Sequence, residues 1–314
     1  MSSPLYVVAV ISNPERYDSR YRLYRDFEAR MLANPHVRLI TLEHAFGIRP
    51  HAITDSANEH HLQLRGGDGQ EVWLKEALIN AGFRHLTKLD PAWQYAAWID
   101  ADVEFARPQW ATEIIHELQH SKVIQPWSHA VDLGPNHETI GNYHSMLFCH
   151  RMDIPNVVKG EPAEYGQYWH SGYAWAIRRD AWDALGGLID WCIMGSADHH
   201  MAWAFLGQIN KTMPGNVSLS YSTLAQQFQE RANRAINGQV GYVRGTILHH
   251  WHGRKRERFY QERWATLLEN RFDPLLDLQY DHQGLPHLVG NKPKLRDGLR
   301  QYLRSRNEDS IDLE

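Results

Sequence analysis

Asp100 and Asp102 stand where an apolar run, Ala97-Trp98-Ile99, gives way to Val103-Glu104-Phe105. In extended chain, residues two apart point to the same side, so both carboxylates are expected to face one way from the end of a buried strand. Two carboxylates so placed make a hard-oxygen site for Mg²⁺ or Mn²⁺, which fill their remaining positions with water and phosphate oxygens. The plainer reading of the same residues is a solvated turn whose aspartates cap the next helix. An apolar strand before the pair and an apolar-aromatic stretch after it favour the metal reading.

Two further stretches carry chemistry. Trp169 to Ile177 is followed by Leu185-Gly186-Gly187-Leu188-Ile189-Asp190 and then by Gly195-Ser196-Ala197-Asp198. Its glycines permit tight turns and close approach of backbone to a ligand. Asp198, at an expected helix start, could be a general base or no more than an N-cap. Later in the chain, His249, His250 and His252 precede the basic run Arg254-Lys255-Arg256-Glu257-Arg258. Imidazoles at this spacing can ligate a metal of the Mn²⁺ class, with His252 or His249 as the ligand. Arg254 and Arg258 could neutralise a diphosphate, while a solvated basic helix would account for the same residues.

In their order along the chain, these three stretches resemble the GT-A class of nucleotide-diphospho-sugar transferases. The Gly186–His200 stretch is most similar to the galactosyltransferase-like branch, in which a Gly-Gly-aromatic-x-acid motif precedes a Trp-Gly-x-Glu-Asp motif. Ala197 departs from that pattern, standing where an acid usually precedes the second acid. The resemblance implies a glycosyltransferase that moves a sugar from a donor such as a UDP-sugar to an acceptor hydroxyl. Asp100 and Asp102 would serve nucleotide and metal, His252 would be the late metal ligand, and Asp198 would activate the acceptor. It also implies that Asn13 and Arg20 meet the nucleoside, with Lys75 and Asn80 on a helix flanking it. The acceptor stays open among a carbohydrate, a small molecule and a modified nucleic-acid base. Two other classes compete: a metal-dependent phosphohydrolase or nucleotidyltransferase using the same carboxylates, and a non-catalytic module binding sugar or nucleic acid.

The elements that must position these residues read as α/β. Leu5–Ser12, 37–42, Tyr95–Ile99 and 123–126 are strand-like and alternate with helical patterns, the third of which begins at Pro108. That alternation predicts a mostly parallel central sheet with helices on both faces, a GT-A (Rossmann-like) arrangement. Residues 47–69 read as a polar loop, 72–81 as a helix closed by Gly82, 209–222 as one or two strands, and 223–236 and 256–270 as helices. The domain reading is a catalytic unit over 1–262 and a C-terminal helical extension over 263–314.

Composition allows one large α/β domain and by itself points to no particular activity. Hydrophobic residues form 43% of the 314, enough for a large core, and the net charge of -4 argues against bulk polyanion binding. Basic residues nevertheless cluster at 244–263 and 292–306, which keeps a nucleic-acid acceptor in view. Two cysteines make no disulfide framework. With no long apolar run, the chain is expected to be cytoplasmic and without a membrane anchor.

Overall fold

A computed structural model describes residues 3–67, 69–157, 167–260 and 262–313. Its strands are β1 (Leu5–Ser12), β2 (Val37–Phe46), β3 (His61–Gly66), β4 (Tyr95–Ile99), β5 (Val103–Phe105), β6 (Val123–Gln125), β7 (His129–Leu133), β8 (Thr139–Ser145), β9 (Trp169–His170), β10 (Ala174–Arg178), β11 (Val240–Tyr242), β12 (Thr246–His249), β13 (Leu278–Tyr280) and β14 (Pro286–Leu288). Its helices are α1 (Asp18–Leu32), α2 (Lys75–Leu89), α3 (Trp110–Glu117), α4 (Met146–Arg151), α5 (Arg179–Leu185), α6 (Ala197–Phe205), α7 (Leu219–Ile236), α8 (Arg263–Glu269), α9 (Pro274–Asp277) and α10 (Pro293–Ser305).

Seven strands form the central sheet in the order β11-β6-β10-β4-β1-β2-β3. β10 runs against its neighbours and the others are parallel. The expected mostly parallel α/β sheet is therefore present. Each central strand is apolar on both faces, as a sheet covered on both sides requires. On β1, Val8 packs into one core with α2, α5, α6 and α7, while Leu5, Val7, Ala9 and Ile11 pack into the other with α1 and α3. β4 divides the same way, with Ala96 and Trp98 on one side and Ala97 and Ile99 on the other.

A second sheet, ordered β5-β12-β7-β8-β9, grows beside the end of β4. β12 joins it by pairing antiparallel with β5 and parallel with β7. This brings the histidines that close β12 next to the aspartates that follow β4.

Several sequence expectations are corrected. The stretch read as a loop over 47–69 contains β3, a polar strand at the sheet edge whose side chains have little apolar surface to bury. The helix expected to stop at Gly82 continues to Leu89. A Cβ at Gly82 would collide with Val8 and Leu42, so this glycine lets α2 lie close on the sheet instead of ending it. Residues 209–222 form a 3₁₀ turn (Ile209–Thr212) and the start of α7 rather than strands. The helix expected over 256–270 is broken into a 3₁₀ turn (Lys255–Arg258) and α8.

The boundary expected at residue 262 is not a break in packing. Leu267, Phe272, Leu285, Leu295, Leu299 and Leu303 belong to the same core as α2 and α6. This part also carries the β13–β14 hairpin, so it is not purely helical. Among the described residues, no helix is long and apolar enough to cross a membrane.

Candidate functional site

The carboxyl ends of β1 and β4 open into a cavity of about 250 Å³. Crevices at that edge of an open α/β sheet are where such folds take ligands. Asp100 follows β4 directly, its N–H bonded to the Tyr173 carbonyl (2.8 Å) at the start of β10. The chain then turns, with the Val103 N–H bonded back to the Asp100 carbonyl (3.1 Å). Because 100–103 is a turn and not extended strand, the two aspartates do not share one centre. Asp100 makes an ion pair with Lys75, and Asp102 faces the histidines. The metal role expected of Asp100 thus finds no place in the ligand group below.

Asp102, His249 and His252 offer one ligand atom each, all lying within 4.8 Å of one another. Asp102 Oδ2 lies 2.9 Å from His252 Nε2 and 3.7 Å from His249 Nε2. The two Nε2 atoms are 3.2 Å apart, so they cannot both carry a proton toward each other. Asp102 Oδ1 is buried and, among the described residues, has no hydrogen-bond partner. An orphaned carboxylate oxygen beside two converging imidazole nitrogens fits a divalent cation. Burial alone would raise the Asp102 pKa, but His252 and His249 hold it well below the usual carboxylate range.

The other ring nitrogen of His249 is fixed. Its Nδ1 lies 3.0 Å from Oδ1 of Asp132, which is 1% exposed. His249 and Asp132 are register partners on the parallel strands β12 and β7, which places their side chains together. Asp132 also accepts from the Tyr173 hydroxyl (2.6 Å) and pairs with Lys255. A buried carboxylate that accepts a hydrogen bond from Nδ1–H leaves Nε2 as the ligand atom, as metal-binding histidines require.

Across the cavity stand two helix N-termini, a setting that favours anions. α2 begins with Lys75 and Glu76, and α6 begins at Ala197 with Asp198 in its first turn. Asp198 is not the N-cap; Ser196 occupies that position in the left-handed region (φ 79°), after Gly195 (φ 81°). Arg263 steadies this turn by donating to the Ser196 hydroxyl (2.5 Å). Tyr173, beside Gly172, is likewise left-handed at φ 76°. Such strain in non-glycine residues concentrates at functional sites.

Charge at this end is tuned by neighbours. Burial would raise the Asp198 pKa, but Lys75, with His199, Arg263 and His170, lowers it. Burial pushes Glu76 up to about 8 against the pull of Lys75, and Asp198 adds to the rise. Lys75 is held protonated chiefly by Asp100, against the effect of its burial.

The remaining expected residues divide. Arg20 and Arg258 line the cavity. Arg258 donates to His252 Nε2 (2.9 Å), and Arg20 donates to the Ser12 carbonyl (2.6 Å) and to Glu308 (2.5 and 2.7 Å). Asn13 instead closes a turn, exchanging two hydrogen bonds with the Tyr17 backbone. Asn80 grips the Gly-Gly loop through the Leu188 N–H and carbonyl (2.8 and 3.1 Å). Both asparagines are engaged by the fold, and neither is among the residues that line the cavity. Arg254 turns away to Asp312.

Asp132, Glu76, Arg263, Arg306 and Glu308 were not singled out from sequence. Glu76 simply follows Lys75 on α2, whereas the other four come to the site through long-range contacts that no local spacing marks. The basic runs also resolve: Arg258, Arg263 and Arg306 face the cavity, whereas Lys292, Arg300 and Arg304 pair with Asp277, Glu71 and Glu15.

No protein-family model matches the sequence, and no curated protein matches it. Solved structures do resemble it in outline. The catalytic domain of Drosophila β1,4-galactosyltransferase 7 with xylobiose aligns over 94% of this chain and 99% of its own, at 11% identity and a TM-score of 0.41. A mutant of that enzyme with manganese, UDP-Gal and xylobiose aligns over 93% and 98%, at 12% identity and a TM-score of 0.39. A Desulfovibrio desulfuricans protein described as a nucleotide-diphospho-sugar transferase aligns over 96% and 99%, at 12% identity and a TM-score of 0.34. At these identities and scores the likeness is one of outline, and what the chain does is read from its own cavity.

Proposed function

We propose that this chain is a metal-dependent glycosyltransferase that takes a sugar from a nucleotide-diphospho-sugar donor, such as a UDP-sugar, and passes it to an acceptor hydroxyl. One observation carries the reading: a metal-ligand trio, a set of arginines and a carboxylate at a helix N-terminus line a single cavity. A divalent cation held by Asp102, His249 and His252 would offset the negative charge that grows on the departing diphosphate. Two imidazoles with one carboxylate suit Mn²⁺ better than Mg²⁺, which prefers an all-oxygen shell.

The side chains divide the remaining work. Arg258, beside the ligand trio, and Arg20 supply cationic donors for phosphate oxygens. Lys75 orients Asp100 by their ion pair, leaving that carboxylate free to meet donor hydroxyls. Asp198, kept ionised by Lys75, can accept the proton of the acceptor hydroxyl as the new bond forms. Two imidazoles with one carboxylate also ligate Fe(II) in oxygenases. Arginines crowding the same cavity favour a polyanionic substrate over that use.

Calorimetric titration of UDP with and without Mn²⁺ tests the reading. UDP binding is expected to tighten strongly when Mn²⁺ is present, and a panel of UDP- and GDP-sugars should yield metal-dependent release of free nucleotide diphosphate. Nucleotide binding indifferent to the metal, or release of a nucleoside monophosphate and a sugar 1-phosphate instead of a nucleotide diphosphate, would remove it. The second outcome would move the chain to the phosphohydrolases.

A further inference from the structure

His249 is held from behind by Asp132, and the question is what holds His252. Its Nδ1 faces Glu308 Oε2 at 3.9 Å, an ion-pair distance rather than a hydrogen bond. Glu308 is 2% exposed and belongs to the segment after α10, far along the chain from the histidines. Two arginines compensate its charge. Oε2 accepts from Arg20 Nε (2.5 Å), and Oε1 accepts from Arg20 (2.7 Å) and from Arg306 Nε (2.6 Å). Burial would raise its pKa, but Arg20 and Arg306 hold it well below the usual range.

The segment carrying Glu308 is fastened on both sides of it. The Tyr17 hydroxyl donates to the Arg304 carbonyl (2.7 Å) and accepts from the Asn307 N–H (3.1 Å). Asp309 accepts from the Asp18 and Ser19 N–H groups (3.0 and 2.8 Å), capping α1. The Trp251 indole donates to the Ser310 carbonyl (2.5 Å). Gly253 has φ 87°, and a Cβ there would strike the backbone of Asn307 and Glu308. A bare backbone directly after His252 thus lets the segment lie against the histidine.

We propose that Glu308 is a positioning residue of the metal centre, keeping His252 protonated on Nδ1 so that its Nε2 lone pair faces Asp102 and His249. This rests on the reading that a cation is bound by those three residues. The segment after α10 would then be part of the active centre, acting on His252 by charge where Asp132 acts on His249 by a hydrogen bond. The competing role is purely structural, in which Glu308 serves only to neutralise Arg20 and Arg306.

Manganese affinity, read from the EPR signal of free Mn²⁺ without any sugar or nucleotide, separates the two. Glu308→Gln keeps the shape and removes the charge, and it should raise the Mn²⁺ Kd by about 10–100-fold, the usual effect of losing such an outer partner. Asp312→Asn removes a carboxylate of the same segment that, among the described residues, pairs with Arg254 alone, and it should bind Mn²⁺ like the wild type. Unchanged affinity in Glu308→Gln, with a wild type that does bind, leaves Glu308 as a counter-ion only and overturns the proposal. A wild type that binds no Mn²⁺ overturns the metal reading along with it. Should Glu308→Gln fail to fold, ¹⁵N-histidine NMR of the Mg²⁺-loaded wild type decides instead. A proton on His252 Nδ1 supports the proposal, and a proton on Nε2 overturns it.

Discussion

The two walls of the cavity are built on different principles. On the wall of Asp102, His249 and His252, the groups behind the ligands are buried and hydrogen-bonded: Asp132 answers to His249, Tyr173 and Lys255 at once. On the wall of Lys75, Glu76 and Asp198, position comes from helix starts and a strained turn, and the groups influence one another by charge through space. The first arrangement fixes directions, which a coordinated cation demands. The second fixes protonation states, which proton transfer demands. A site that must do both separates them across one cavity.

The contrast implies that mutations on the ligand wall act through metal affinity and those on the helix wall through turnover. The largest effect is expected at Asp102. Asp102→Asn should lower transfer by about 10³-fold or more, since the charge compensation supplied by a metal is worth several kcal/mol. Mn²⁺ binding should fail with it while the fold persists, the melting temperature falling modestly because the charge that His252 and His249 stabilise is removed. Near-normal turnover in this variant would dissolve the distinction between the walls.

Asp198→Ala tests the opposite wall. Its kcat should fall by about 10²–10⁴-fold, the usual contribution of a general base, with donor KM and Mn²⁺ affinity little changed. A variant that instead lost donor affinity would place Asp198 among the binding groups, and the division of labour would need redrawing.

How far the sequence foretold these walls follows from how each is assembled. The central sheet was legible because β1 and β4 are apolar on both faces, and the helix-strand alternation leaves few alternatives. Asp102 and His252, which the fold brings into one group, and Asp198, in the first turn of α6, could be singled out because each adjoins a recognisable element end. Asp100 pairs with Lys75 instead of joining Asp102 and the histidines, since a two-residue alternation holds only in extended chain and here the chain turns. Asn13 and Asn80 carried the right residue type at the right place for a ligand, yet their amides close turns and loops, which spacing cannot distinguish. Asp132 and Glu308 were invisible for another reason. Their partner histidines are reached only by strand register and by docking of the segment after α10, neither of which leaves a local pattern.

Glu76 sharpens the account of the helix wall through pH. Its pKa in the fold is about 8 against an ordinary 4.5, so the fold favours the neutral acid. Below pH 4.5 both folded and unfolded chains hold the proton, and the residue costs nothing. Between 4.5 and 8 the unfolded chain ionises first, so stability declines with rising pH, by roughly 5 kcal/mol at most. Glu76→Gln should therefore be more stable than wild type at pH 8, with the gap closing toward pH 5. Calorimetric melting at three pH values reads this directly. Parallel curves for the two proteins would mean that Glu76 is not desolvated in the way described.

The smallest effect is expected at Asp132, and it bears most closely on the ligand wall. Asp132→Asn preserves volume but replaces one acceptor oxygen by a donor, while His249 Nδ1–H, the Tyr173 hydroxyl and Lys255 all still present protons to it. At least one of these donors must go unsatisfied or turn aside, and the imidazole is free to rotate or to shift its proton to Nε2. Either change removes a ligand atom from the centre only part of the time, so Mn²⁺ affinity should fall by about 10–100-fold rather than vanish. At saturating Mn²⁺, kcat should recover to near the wild-type value, because the protonation of Asp198 is set by Lys75 and not from this side. That recovery separates positioning from catalysis: a deficit persisting at saturating metal would show that the two walls are coupled, and the comparison between them would fail.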